Sequence, residues 1–328
     1  MKILVTGSLG FIGSHLVDKL VDEGHEVAGI DDLSGGSWDN RNWNSKHFTL
    51  DLRDLEGTKY VVSQFKPEVI YHLAANAAES KAQFSPIDIA SRTYNTFLNV
   101  LVAGLNNGMR RIVVASSAAV YGSAKEFKET TEPDPEDLYG LSKWTMEKSL
   151  AIMSKVHDFE YVVGRFHNVY GPRQSMRDPY RNVVMLWMNS LLHKEPYTIY
   201  GDGSMKRCYT YISDLVNGVA KLATANVAGE IFNLGADEPI SLKQLSDAIQ
   251  DVTSHALPPT FLPQRPQEVA FTIPNHDKAK ELLKYKTEID LITGIQRSWE
   301  WAKSKGTVEK IYTDFEIDSP KIPANWRK

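Results

Sequence analysis

Tyr139 and Lys143, in the segment YGLSK, are four residues apart. The surrounding run, EDLYGLSKWTMEKSLAIMSKVHD, has helical spacing, so the two side chains share one helix face. A phenol is normally too weak a base near neutrality. An adjacent ammonium and an oxidised nicotinamide ring would both stabilise its phenolate and lower its pKa. Such a pair occurs by chance in many chains and gains weight only from its company. Here the apolar run RIVVA leads directly into Ser116 and Ser117, followed by Ala118, Ala119, Val120 and Tyr121. Hydroxyls at the end of a buried strand suit hydrogen bonding to the oxygen of a reacting alcohol or ketone.

A second constellation lies at the start of the chain. Between KILVT and the first helix-like segment stands VTGSLGFIGSH, with glycines at 7, 10 and 13. Gly7 permits a tight turn, Gly10 lets backbone approach a pyrophosphate, and Gly13 lets the helix pack close to the sheet. The helix start at Phe11 and Ile12 then offers unpaired N–H groups and a positive dipole end to the phosphates. The spacing is one residue longer than the commoner dinucleotide fingerprint. Asp31 closes the next apolar run, 24 residues after Gly7. It can accept hydrogen bonds from adenine ribose hydroxyls, and its charge repels a 2′-phosphate. No arginine directly follows, so the cofactor reads as NAD rather than NADP.

These groups need a frame, and the first half of the chain supplies one. KILVT, EVAGI, HFTLDLRD, PEVIYHLAA, RIVVASS and EYVVGRF are strand-like, and helix-like segments separate most of them. Continuous apolar strands alternating with helices predict an α/β fold: a doubly wound parallel (Rossmann) sheet covered on both faces. The cofactor domain is expected over 1–166. After about residue 166, prolines break the pattern into shorter pieces, and a smaller substrate-binding lobe is expected over 167–328. YTYI and EIFNLG are candidates to return to the main sheet. The last residues, EIDSPKIPANWRK, lack periodicity and read as a surface tail.

Composition narrows the function classes. The chain has 328 residues, 42% hydrophobic and 24% charged, with a net charge of −4, so a nucleic-acid-binding face is not expected. The single cysteine, Cys208, excludes an intrachain disulfide and a cysteine-based zinc cluster. No metal site is expected. No export signal or run of ~18–20 apolar residues is visible, so a cytoplasmic protein with no membrane association is expected.

TGSLGFIGSHL, DLRD, VIYHLAA, SSAAVYG, YGLSK, GRFHNVYGPRQ, IYGDGSMKRCYTYISD and NLG together resemble the extended short-chain dehydrogenase/reductases, specifically the nucleotide-sugar epimerase/dehydratase family. The resemblance runs over nearly the whole chain. It implies NAD in the N-terminal lobe, a nucleoside-diphosphate sugar in the C-terminal lobe, and Tyr139, Lys143 and Ser117 as the catalytic trio. It further implies Asp51, Leu52, Leu73, Ala74, Ala75 and Ser116 against the cofactor, alongside the glycine cradle, Tyr139 and Lys143. On the substrate side it implies Ser117, Asn168, Arg207 and Arg265, the arginines supplying charge-assisted bonds to phosphate or ribose. In similar hexose 4-epimerases, a residue seven positions after this last arginine borders the sugar's C2 substituent. The count reaches Thr272, which leaves room for a 2-acetamido group; a slipped register would bring Phe271 inward instead. Tyr209 and Tyr211 are expected in a strand core rather than the site.

The chain also departs from the family pattern. Arg207-Cys208 replaces Arg-Asp, and TYNTF replaces the asparagine-containing NVxGT segment, so Thr93 or Asn95 would stand near the cofactor. The family's dehydratases carry an acid immediately after the catalytic hydroxyl residue, often two. Ala118 and Ala119 cannot shuttle protons, which favours an epimerase working at C4 through a transient 4-keto sugar. A dehydratase, reductase or decarboxylase of the family remains an alternative, and a non-catalytic NAD-sensing scaffold a remote one. The helices expected near 87–106 and 137–157 carry apolar residues on more than one face, and the family's counterparts often pair them in a homodimer.

Overall fold

The computed structural model describes residues 1–181, 183–255, 257–264 and 273–326. Its parallel sheet contains β1 (Lys2–Thr6), β2 (Glu26–Asp31), β3 (Lys46–Thr49), β4 (Val69–His72), β5 (Arg111–Ser117), β6 (Glu160–Phe166) and β7 (Ile231–Leu234). Their order is β7-β6-β5-β4-β1-β2-β3. The winding reverses between β1 and β4, and this switch point opens a crevice at the carboxyl ends of the strands. The doubly wound α/β fold expected from the strand–helix alternation is the one found.

Alternate side chains of each strand leave opposite faces. Ile3 and Val5 of β1 pack with Leu16, Val17 and Leu20 of α1 (Phe11–Asp22). Leu4, between them, faces the other layer with Val61, Val62 and Phe65 of α2 (Leu55–Phe65). Burying side chains of this size contributes ~1.5–3 kcal/mol each, so both helical layers are needed to cover the sheet.

After β4 the chain makes the short helices α3 (Glu79–Ala82) and α4 (Pro86–Ala90) before α5 (Thr96–Asn106). The helix expected over 87–106 is continuous but widens into a π-turn over Ser91–Asn95. α6 (Leu138–Met153) follows β5 and starts where the Asp137 carboxylate accepts the Gly140 N–H at 2.8 Å.

The second half is built from α7 (Val183–Leu192), α8 (Ile212–Lys221), α9 (Leu242–Thr253), α10 (Asp277–Leu283) and α11 (Leu291–Lys305). Its core is continuous with one face of the main sheet: Met185, Trp187, Leu245 and Trp299 belong to the same buried cluster as Ile3 and Val5. Ile231–Leu234 returns to the main sheet, as EIFNLG suggested. Thr210–Tyr211, from YTYI, pairs instead with Val169–Tyr170 in a separate two-stranded sheet. The expected surface tail is also corrected: Ile322 and Trp326 are buried, in a cluster with Tyr139 and Tyr180. Aromatic contacts distant in sequence hold this segment, which is why it lacks periodicity.

Candidate active site

The crevice at the switch point continues into the second half as one cavity of about 1,750 Å³. Single small-molecule pockets run ~300–1,000 Å³, so this volume has room for two ligands side by side. Among the described residues no cluster of His, Cys, Asp or Glu could hold a metal ion.

At one end lies the glycine cradle. Gly7 has φ +68°, and its carbonyl accepts the Gly10 N–H at 3.1 Å, which closes the tight turn after β1, while its own N–H donates to the Ile30 carbonyl of β2 at 2.8 Å. A Cβ on Gly13 would stand only 2.0 Å from the Gly7 carbonyl oxygen, so only glycine allows α1 to approach this closely. α1 has no side-chain cap at Gly10. Its first residues, Phe11, Ile12 and Gly13, line the cavity with Gly7 and Gly10. An uncapped helix start facing a cavity suits a pyrophosphate.

Asp31 is buried at the end of β2, with its carboxylate accepting N–H groups of Leu9 (3.0 Å) and Leu33 (2.8 Å). Burial pushes its carboxyl pKa up, and those amides oppose the shift. It lines the cavity beside Asp51 and Leu52. Asp51 is paired with Arg53, whose guanidinium holds its carboxyl below the usual range. Leu73, Ala74 and Ala75 form the adjoining wall, fixed where Thr6 Oγ1 accepts the N–H groups of Leu73 and Ala74 at 3.2 Å. A buried acid beyond an open glycine turn fits the adenosine half of NAD.

β5 and α6 converge further along the cavity, and here Ser117, Tyr139 and Lys143 meet. The Ser117 hydroxyl accepts the Ala119 N–H at 3.2 Å and lies near enough to Tyr139 to counter part of the rise in its pKa. Lys143 Nζ donates to the Ala115 carbonyl at 2.6 Å and stands 5.6 Å from the centre of the Tyr139 ring. All three are less than one-tenth exposed. Burial lowers the Lys143 ammonium to about 7, against the opposing pull of Glu147. Burial raises the Tyr139 phenol, with Glu79 adding to the shift and Arg181 and Ser117 opposing it. Ser116 also borders the cavity, but its hydroxyl donates to Glu147 at 2.5 Å, and Glu147 is paired with the buried Arg165. Ala118 and Ala119 line the wall after Ser117, so no acid stands at those positions.

The second half supplies the far wall. Asn168, held at φ +35°, and Arg207 both line the cavity. Tyr209, buried in the apolar core as expected, also borders the cavity, whereas buried Tyr211 packs edge-on against Tyr170. Arg265, Phe271 and Thr272 lie outside the described residues. Neither Thr93 nor Asn95 lines the cavity: Thr93 is fully buried, and the π-turn region presents Arg92 and Thr96 instead.

Several cavity residues carried no motif signal. Arg92 bonds Asp32 and Asp88, both at 2.7 Å. Asp88 accepts from Asn76 at 2.7 Å, and Asn76 accepts from Arg181 at 3.2 Å. The chain of contacts runs from the loop after β2 to the start of the second half. Lys81 and Glu79, on α3, face the same cavity. Only the fold brings these groups together, from segments around residues 32, 76–92 and 181.

Comparison with known proteins agrees with this geometry. The model of the NAD dependent epimerase/dehydratase family matches residues 3–235. The chain is 32% identical over 315 residues to the UDP-glucose 4-epimerase of Mycolicibacterium smegmatis, covering 93% of this chain and 99% of that one. A crystal structure of Thermotoga maritima UDP-glucose 4-epimerase with UDP-glucose is similar, with a TM-score of 0.88 and 31% identity, covering 93% and 99% of the two chains. A Bacillus cereus UDP-glucuronic acid 4-epimerase bound to UDP-glucuronic acid and NAD gives a TM-score of 0.86 at 26% identity, covering 93% and 100%. By its cradle, its buried tyrosine, lysine and serine, and these relationships, the chain belongs to the NAD-dependent epimerase/dehydratase family.

Proposed function

We propose that this NAD-dependent epimerase inverts C4 of a UDP-hexose, with Tyr139, Ser117 and Lys143 as its reacting group. The observation that carries the reading is their convergence beside Ala118 and Ala119. A proton acceptor and a hydroxyl partner are present, while the adjacent acids that eliminate water are absent. Bound NAD supplies the hydride acceptor and, on the return step, the donor. Tyr139 accepts the proton of the C4 hydroxyl and later returns it. Ser117 hydrogen-bonds the same oxygen, and Lys143 stabilises the phenolate and holds the nicotinamide ribose. Asn168 and Arg207 bind the diphosphate, so that the sugar can turn while its nucleotide stays fixed.

The test is incubation with a panel of UDP-, dTDP-, GDP- and CDP-hexoses, followed by NMR of the products. The expected result is C4 inversion of a UDP-sugar with no net use of added NAD or NADH. Loss of a carboxyl carbon or stoichiometric cofactor consumption would place the chain with decarboxylases or reductases instead.

A homodimer formed through α5 and α6 is part of this proposal. Both helices leave large apolar side chains exposed, among them Val102, Leu141 and Ile152. Light scattering at micromolar concentration should give twice the 36.9 kDa monomer mass; the monomer mass alone would contradict the pairing. A cytoplasmic location is proposed from the single buried thiol of Cys208. Among the described residues no helix is long and apolar enough to cross a membrane.

A further inference from the structure

The chain turns at Gly306, φ +71°, and residues 307–326 then run across the cavity. Their anchors lie on both sides of it. On the second half, Val308 exchanges hydrogen bonds with the Asn189 side chain at 2.7 and 3.0 Å, and Ile311 N–H donates to the Arg177 carbonyl at 2.8 Å. On the first half, the Glu316 carboxylate accepts the N–H groups of Ile87 and Asp88, both at 2.7 Å. Ile317 N–H donates to the Phe84 carbonyl at 3.0 Å. The chain then returns to the second half, where Asn325 bonds the Tyr200 hydroxyl at 2.7 Å.

Between these anchors the segment is aromatic. Phe315 and Trp326 pack against Tyr180, with ring centres 5.6 and 5.2 Å away, in the apolar cluster that contains Tyr139. Tyr312, Thr313, Ile317 and Trp326 are among the strap residues that line the cavity. The 1,750 Å³ is therefore measured with the strap in place. The strap roofs the cavity without filling it.

We infer that residues 307–326 retain the oxidised sugar during epimerisation, with Glu316 as the positioning residue that fastens the strap to α4. The inference rests on the C4-epimerase reading. After the first half-reaction the C4–H bond has given its hydride to NAD, and the hydroxyl proton is on Tyr139. The ketone must then loosen its sugar contacts to present its other face. A ketone that escapes at this point leaves two electrons on the cofactor and stops that enzyme molecule. A roof fastened to both lips opposes escape while leaving room for rotation.

The test uses the full-length Glu316→Ala enzyme, with Glu316→Gln as the conservative variant. Two quantities are read against turnovers completed: bound cofactor left in the fluorescent reduced form, and free ketone trapped by borodeuteride as deuterium at C4. Loss of two charge-assisted hydrogen bonds should raise ketone escape per turnover in Glu316→Ala by about tenfold or more. Glu316→Gln, which keeps an acceptor oxygen, should fall between Glu316→Ala and the parent. A structural weakening that merely inactivates part of the sample lowers both processes together and leaves their ratio unchanged. If Glu316→Ala does not fold, Asn325→Ala loosens the other end and is read in the same way. An escape ratio equal to that of the parent in a folded variant overturns the inference. A parent enzyme with no epimerase activity overturns the underlying reading instead.

Discussion

The proton-accepting role proposed for Tyr139 is opposed by its buried surroundings, which raise its pKa. Ser117 and Arg181 oppose that shift, and the positive charge of a bound nicotinamide would do the same. Tyr139→Phe keeps the ring packing and removes the acceptor. It should lower turnover by at least ~100-fold while cofactor stays bound, the low end of general-base contributions. Near-normal turnover would remove Tyr139 from the mechanism. Asp31→Ala should weaken NAD binding and reduce discrimination against NADP, measured by titration with each cofactor; an unchanged preference would show that Asp31 does not read the ribose. That Ser117, Tyr139, Lys143 and Asp31 would line one cavity was legible in the sequence because each sits at a fixed offset within a motif. Arg92, Arg181 and Glu79 were not, since no spacing relates residues that meet only through tertiary approach. Ser116 shows the reverse limit: its position was legible, but not the turn of its hydroxyl toward Glu147.

Among the elements, α1 is packed directly against the turn before it. A methyl group on Gly13 would meet the Gly7 carbonyl oxygen at 2.0 Å, and backbone cannot yield as a flexible side chain can. Gly13→Ala should therefore cost ~1–3 kcal/mol of stability, as overpacking does, and weaken NAD binding by displacing the helix start. Urea unfolding and NAD titration check this; a variant matching the parent in both would show that the turn is softer than its geometry implies. The inner strands of the main sheet were legible because both their faces are buried and their apolar runs are continuous, whereas the edge strand β3 has no fully buried residue. Thr210–Tyr211 was ambiguous, since two residues in a small sheet and two at a sheet edge look alike in sequence. The strap was hidden because its contacts follow neither helical nor strand periodicity.

Acid sensitivity belongs to the whole molecule. His72 and His167 are buried within it; burial lowers His72 to about 3 and holds His167 well below its ordinary value. In the unfolded chain both return to about 6.5. Below that pH the unfolded chain binds protons that the folded protein refuses, so stability present above pH 6.5 is lost as pH falls. Between pH 7.5 and 5.5 each histidine should remove about 1.4 kcal/mol, and urea unfolding at the two values should show the loss. Equal stabilities would mean that these histidines are protonated in the fold. The assembled enzyme is expected to remove one hydrogen from C4 and return that same hydrogen to the opposite face. Following it needs a UDP-hexose deuterated at C4, equilibrated with the enzyme in ordinary water, and NMR of both epimers. Full retention of deuterium at C4 is expected in substrate and product alike. Exchange of that deuterium with water, or inversion at another carbon, would contradict C4 epimerisation by hydride transfer.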